Sequence, residues 1–195
     1  MKEKITAIIL AGGRARRMAG VDKGLCSLAW PMIEWTLARI RPQVGAVLIN
    51  ANRNREAYAA LGFPVAADDD DSRAGPLAGI HAGMKKSKTE WVLSAPCDSP
   101  FLPRTLAAEL SAASDNADVV VAAADGREQP VFMLAQCSLA DDLGGFLAAG
   151  GRKIDEWYSR LNYISVPFGD GAAFVNINTP EELMAAEKNL MANVL

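Results

Sequence analysis

The residues with the greatest capacity for chemistry are Leu10-Ala11-Gly12-Gly13-Arg14-Ala15-Arg16-Arg17-Met18-Ala19-Gly20-Val21-Asp22-Lys23-Gly24. Two adjacent glycines carry no Cβ and open positive φ to the backbone. Successive N–H groups in such a turn can converge on an anion. Arg14, Arg16, Arg17 and Lys23 then place four cations within ten residues. A glycine turn followed by clustered cations suits a polyphosphate. The bland alternative is a glycine turn with a solvated basic loop, and the density of cations argues against it. Glycine spacing G-x-G-x-x-G is absent, and Lys23 is followed by Gly24 and Leu25. Neither the dinucleotide fingerprint nor the Walker P-loop therefore applies.

Asp98 is the metal candidate. It lies in Pro96-Cys97-Asp98-Ser99-Pro100, where two prolines stiffen its loop. Magnesium takes one or two carboxylates, with water and substrate phosphates completing its shell. Capping the next helix is the competing role for Asp98. Asp68 opens an acidic run with Asp69, Asp70 and Asp71; the last three read as a solvated loop, and Asp68 alone is expected to face a site. Asn50 closes an apolar run, and a simple turn role competes with a binding one. Asn176 and Asn178 are two apart in an extended segment, which projects both to one side. Local capping competes there, more for Asn178 than for Asn176. His81, the single histidine, falls inside a helical pattern with no Ser or Cys partner apparent, which argues against a catalytic triad.

These residues need elements to hold them. Apolar runs at 5–10, 46–49, 63–67 and 91–95 read as strands. Helical patterns fall between them, from Pro31 to Pro42, over 55–61, and from Pro76 to about Lys86. Pro103 opens a further helix to about Ala113. Runs at 119–124 and 131–134 read as a hairpin around Asp125-Gly126-Arg127-Glu128. Helices at 139–148 and 154–161, a strand at 163–166 and an extended 174–178 follow. Thr179, Pro180 and Glu182 make a capped start to a last helix. Alternation of this kind predicts parallel βαβ units with helices on both sheet faces. Ligands of an open parallel sheet bind beyond the carboxyl ends of its strands. Gly12-Gly13, Asn50, Asp68 and Asp98 all follow strand ends, so one edge of the sheet is expected to gather them.

Leu10-Ala11-Gly12-Gly13 with Arg16-Arg17-Met18 and Asp22-Lys23-Gly24 resembles the signature of nucleotidyltransferases that activate sugars and cofactors. Two arginines before the methionine, with Val21-Asp22-Lys23-Gly24 after it, look most like the molybdenum cofactor guanylyltransferase family. The resemblance runs from Ile5 to about Ala186, and Asn176-Ile177-Asn178-Thr179-Pro180-Glu181-Glu182-Leu183 also matches closely. It implies a three-layer α/β/α Rossmann-like fold with a mostly parallel sheet. It implies Mg2+-dependent transfer of GMP from GTP to the phosphate of molybdenum-molybdopterin, with pyrophosphate leaving. On that resemblance Lys23 reaches the nucleotide phosphates, Arg17 assists, and Asp98 binds the metal and contacts the nucleotide. Leu10, Ala11, Gly12, Gly13, Asn50 and Asp68 hold GTP. Asn176 and Asn178 lie near the pterin phosphate, and Gly151-Arg152-Lys153 resembles a basic element on the acceptor side. Arg152 and Lys153 also read as a solvated helix start, and Arg14 and Arg16 as solvated. Implied partners are GTP, molybdopterin, molybdenum-insertion proteins and molybdoenzyme chaperones. One departure stands out: the family's Gly-Lys-Pro-Leu segment is here Leu28-Ala29-Trp30-Pro31-Met32, which puts contacts from Ala29 and Trp30 in doubt. Two other readings stay open: a related cytidylyl- or sugar-phosphate nucleotidyltransferase, and a catalytically silent nucleotide sensor.

Length and charge bound the rest. The 195 residues suit one domain, 1–195, with a sizeable core. A net charge of −3 shows no global basic excess for nucleic acid, so the cations at 14–23 are a local device. No apolar run is long enough to span a membrane, and the six-residue apolar run after the N-terminus ends in Gly-Gly-Arg, unlike a signal peptide. Cys26, Cys97 and Cys137 are odd in number and scattered, which suits free thiols in a reducing cytoplasm.

Overall fold

The computed structural model describes residues 1–11, 25, 31–69 and 75–192. Seven strands form one sheet: β1 (Ile5–Leu10), β2 (Ala46–Asn50), β3 (Val65–Ala66), β4 (Trp91–Pro96), β5 (Val119–Ala124), β6 (Arg127–Gln136) and β7 (Tyr163–Phe168). Their spatial order is β3-β2-β1-β4-β6-β5-β7. All neighbours are parallel except β6, which runs antiparallel to both β4 and β5. β1 and β4 are buried along almost their whole length, as central strands covered on both faces must be.

The chain order explains the layers. It steps outward from β1 to β2 to β3, then returns to place β4 on the other side of β1. With right-handed crossovers, that reversal moves the connecting helix to the opposite face. The helices are α1 (Met32–Ile40), α2 (Arg55–Ala59), α3 (Pro76–Lys86), α4 (Leu106–Ala112), α5 (Ala140–Ala148), α6 (Ile154–Tyr158) and α7 (Pro180–Ala192). On one face, Ile33, Leu37 and Ile40 of α1, Tyr58 of α2 and Leu106 and Leu110 of α4 share one core with Ile5, Ala7 and Ile9 of β1. On the other face, Leu77, Ile80 and Met84 of α3, Leu143 of α5 and Trp157 of α6 pack with Ile8 of β1. Alternate residues of one strand thus feed two cores, which makes the fold a three-layer α/β sandwich. A smaller cluster joins Leu183 and Ala186 of α7 to Met32 and Ile177.

The sequence-based expectations hold for most elements and fail in instructive places. Pro103 does not open α4, which starts at Leu106; the intervening residues form a turn. β3 shortens to two residues. β6 is much longer than the apolar run 131–134, because its polar start at Arg127 pairs with Ala124 across a two-residue turn. Asp125 and Gly126 both have positive φ, 51° and 72°, the pattern of a tight hairpin turn. The strand then bulges: Ala122 pairs with Gln129, but Val121 pairs with Met133. Pro130, which lacks an N–H, sits in that bulge. The buried Ser94 of β4 donates its hydroxyl to Val131 O at 2.6 Å, satisfying a carbonyl beside the bulge.

Candidate active site

The reversal of strand order falls between β1 and β4, and such a switch point opens a crevice at the carboxyl ends of the strands. Register fixes what borders it. Leu10 lies level with Asn50 on one side and Pro96 on the other. The backbone continues that alignment: Ala11 N–H donates to Asn50 O (2.8 Å) and Cys97 N–H to Leu10 O (3.1 Å). Leu10, Ala11, Asn50 and the Asp98 loop therefore share one rim. Asp68 joins them two residues past β3.

Asn50 is buried, and its Nδ2 donates to Asp68 Oδ1 at 2.9 Å and to Ala66 O at 3.4 Å. Asn52 closes the other side of the same carboxylate. Its Nδ2 donates to Asp68 Oδ2 at 2.7 Å, while its Oδ1 accepts from Asp68 N–H at 2.8 Å. Each oxygen of Asp68 thus accepts one amide hydrogen. A carboxylate has about four lone-pair directions, so acceptor capacity remains for a ligand. Asn52 was not singled out from the sequence; its two-residue spacing from Asn50 was the available signal. The Asn50 carboxamide fits only because α3 carries Gly79 there, where a Cβ would run into Asn50 Oδ1.

Asp69 turns to other partners. Lys85 Nζ donates to its Oδ2 at 2.8 Å and His81 Nδ1 stands 3.9 Å away. The Lys85 hydrogen bond is the main reason its carboxyl lies below the ordinary value. Its exposed position agrees with a surface role, and His81 is on α3 as the helical pattern implied.

Asp98 is buried at the rim, two residues past β4. Its carbonyl accepts from Ile177 N–H at 2.9 Å. Next to it the fully buried Ser99 donates to Asn176 Oδ1 at 2.7 Å. The segment holding Asn176 and Asn178 is thereby tied to the Asp98 loop. Asn178 Nδ2 donates to Asn176 O at 2.9 Å, and Asn178 N–H donates to Glu182 Oε2 at 2.7 Å. Glu182 N–H in turn donates to Thr179 Oγ1 at 3.2 Å, completing the expected capping box of α7. Asn178 is thus engaged in local capping, while Asn176 is exposed.

Arg152 and Lys153 lie in the α5–α6 connection, and both are exposed. Arg152 Nη1 donates to Leu147 O (2.8 Å) and Gly151 O (2.6 Å), which caps the end of α5. Lys153 pairs with Glu156 at 2.7 Å, and that bond is the main cause of its raised pKa. Gly12, Gly13, Arg14, Arg16, Arg17 and Lys23 lie outside the described residues, as do Trp30 and Ala29. A cleft of about 390 Å³ is lined by Glu34, Leu37, Arg41, Leu61 and Phe63, none of them a residue of the rim.

Among the described residues no three His, Cys, Asp or Glu side chains cluster to hold a metal. A buried carboxylate at a rim, as Asp98 is, fits a hard cation that draws its other ligands from water and a bound phosphate, as magnesium does.

Fold comparison places this arrangement among the α/β nucleotidyltransferases. A molybdopterin-guanine dinucleotide biosynthesis protein A from Archaeoglobus fulgidus superposes with a TM-score of 0.76 at 26% identity, covering 96% of this chain and 99% of that one. A nucleotidyl transferase from Methanothermobacter thermautotroptrophicus shares the fold at 18% identity, with a TM-score of 0.75 over 97% of this chain and 98% of its own. The family model described as the MobA-like NTP transferase domain matches residues 7–161. Molybdenum cofactor guanylyltransferases from Polynucleobacter asymbioticus and Ralstonia pickettii are 48% and 51% identical. These alignments cover 96% and 92% of this chain and 98% and 94% of the relatives. The chain belongs to the MobA-like NTP transferases, in the molybdenum cofactor guanylyltransferase family.

Proposed function

We propose that this chain transfers GMP from GTP to the terminal phosphate of molybdenum-molybdopterin, giving the guanine dinucleotide cofactor and pyrophosphate. The observation that carries the reading is the shared rim: Asn50 and Asp68 in one hydrogen-bonded pair, Asp98 across β1 from them, and the Asn176 segment bonded to the Asp98 loop. The names of the relatives supply the guanine and the pterin acceptor.

Asp68, with capacity left on both oxygens, accepts from donor groups of the nucleoside. Asn50 orients it, and the backbone at Leu10 and Ala11 borders the same space. Gly12 and Gly13 follow Ala11 directly in the chain, so their N–H groups are proposed to meet the triphosphate. Lys23 and Arg17 offset its charge. Asp98 would hold magnesium, which when bound neutralises charge on the phosphate oxygens. Asn176, with Asn178 and Arg152 as further candidates, receives the acceptor. The acceptor phosphate oxygen attacks the α-phosphorus in line, the bond from that phosphorus to the bridging oxygen breaks, and pyrophosphate departs. A phosphate monoester is already anionic, so no strong base is needed. Positioning and charge neutralisation carry the rate.

The whole chain, 1–195, is proposed to act as one domain in a reducing cytoplasm. Among the described residues, no helix is long and apolar enough to cross a membrane. Among the described residues Cys97 and Cys137 form no disulfide, and burial pushes the Cys137 thiol up, away from the reactive thiolate. Molybdenum-insertion proteins and molybdoenzyme chaperones are the expected partners at either end of the reaction.

The test is pyrophosphate release with magnesium, molybdopterin and each of GTP, CTP, UTP and ATP in turn. Turnover with GTP that Asp98→Ala abolishes, with circular dichroism unchanged, supports the reading. Turnover with CTP in place of GTP, or full activity of Asp98→Ala, overturns it. Nucleotide binding without turnover identifies a sensor.

A further inference from the structure

Ser99 is fully buried between Asp98 and Pro100, yet its hydroxyl is used on an exposed side chain, donating to Asn176 Oδ1 at 2.7 Å. A buried hydroxyl requires a hydrogen-bond partner. Any nearby main-chain carbonyl would satisfy that need. Bonding a solvent-facing carboxamide instead orders a group that the core does not use. The backbone around that carboxamide is fixed as well. Asn176 O accepts from Asn178 Nδ2 at 2.9 Å, and the next residue, Ile177, donates its N–H to Asp98 O at 2.9 Å. Ile177 is itself buried against Met32 and Leu183. With its side-chain oxygen and main-chain carbonyl both engaged, Asn176 keeps its NH2 group for a ligand. An NH2 group offers two donors and no acceptor.

We propose that Ser99 is a positioning residue: it fixes the Asn176 carboxamide with its NH2 turned outward, so that Asn176 reads an anionic oxygen on the acceptor substrate. This rests on the acceptor assignment made above. Ser99 is fully buried, so it acts through Asn176 and not on a substrate directly. It joins the loop of Asp98 to the acceptor contact, so nucleotide and acceptor groups are registered by one buried hydrogen bond. A fixed donor costs less to engage than a carboxamide free to rotate and flip.

The experiment measures KM for molybdopterin and for GTP by pyrophosphate release in the wild type, Ser99→Ala, Asn176→Ala, the double variant and Asn176→Asp. One net hydrogen bond corresponds to about a two- to tenfold change. Ser99→Ala is expected to raise KM for molybdopterin by that factor and leave KM for GTP unmoved. In the Asn176→Ala background the same substitution is expected to add nothing. Asn176→Asp keeps the oxygen that Ser99 bonds but exchanges the donors for a negative charge. It is expected to raise KM for molybdopterin more than tenfold, and its exposed position protects the fold. A lower melting temperature in Ser99→Ala with both KM values unmoved would overturn the inference, as would an equal Ser99 effect with and without Asn176. Asn176→Asp with wild-type KM would do the same. No turnover by the wild type with GTP and molybdopterin removes the functional reading, and this inference with it; normal wild-type turnover with these null results removes the inference alone.

Discussion

Gly79→Ala is the sharpest single perturbation of the rim. Gly79 lies in the middle of α3, where alanine ordinarily stabilises a helix by about 1 kcal/mol. Here the added Cβ would run into Asn50 Oδ1, 2.8 Å from Asn50 Cγ and 2.8 Å from Leu10 Cδ2. Those atoms lie below van der Waals contact, so Asn50 must leave its place. Overpacking of this kind costs about 1–3 kcal/mol. Displacing Asn50 also breaks its 2.9 Å bond to the Asp68 carboxylate, a charge-assisted bond worth about 1.5–3 kcal/mol. The helix gain offsets only part of this, leaving a net loss of about 1.5–5 kcal/mol. GTP affinity should fall about tenfold or more, because Asp68 loses one of the two amides that orient it. Gly83→Ala is the matched control. One turn further along α3, its Cβ would meet the side chain of Ile8 instead. It should cost stability and spare GTP binding. Urea denaturation and isothermal titration of GTP read the two effects separately. Wild-type stability and GTP affinity in Gly79→Ala would refute the reasoning, and equal losses of GTP affinity in both variants would show that the Asn50–Asp68 pair is not what Gly79 protects.

Two further outcomes follow from buried polar groups outside the rim. Ser94→Ala leaves Val131 O without its 2.6 Å donor beside the bulge and should cost about 1–3 kcal/mol in urea denaturation; no loss would show that the carbonyl finds another partner. Tyr158 donates its hydroxyl to Glu128, and burial, then that bond, raise its pKa above the ordinary tyrosine value. Above about pH 10 the unfolded chain loses this proton while the folded chain keeps it, so stability must fall as pH rises. The contribution is fully present below that pH. Tyr158→Phe should therefore show a shallower loss of stability between about pH 10 and 11, and an identical slope would contradict the assignment.

Much of this fold was legible from periodicity. Residues 5–10 and 91–95 are nearly unbroken apolar runs because both strands are covered on two faces. Pro76 marked the start of α3 correctly because Gly75, at φ 73°, turns the chain into it. Pro103 misled because proline suits a turn as well as a first helical position. Arg127, Glu128, Gln129 and Pro130 hid the first half of β6, since edge-like composition and a proline read as loop. The candidate site's edge was legible where a polar residue follows an apolar strand: Asn50, Asp68 and Asp98 were expected at one rim, and the structure brings them to it. Asn52 and Ser99 were not, because their roles are set by partners 16 and 77 residues away. The lone serine inside the apolar run 91–95 was visible, but its purpose depends on a bulge that only pairing reveals.

The central claim is that one rim at the carboxyl ends of β1, β2 and β4 holds the nucleotide and its metal. A crystal structure of the protein with GTP and magnesium tests it most directly. The nucleoside should lie within hydrogen-bonding distance of Asp68, with a cation on Asp98 touching phosphate oxygens. Nucleotide density elsewhere, such as the cleft lined by Arg41 and Phe63, with Asp68 and Asp98 left untouched, would contradict it.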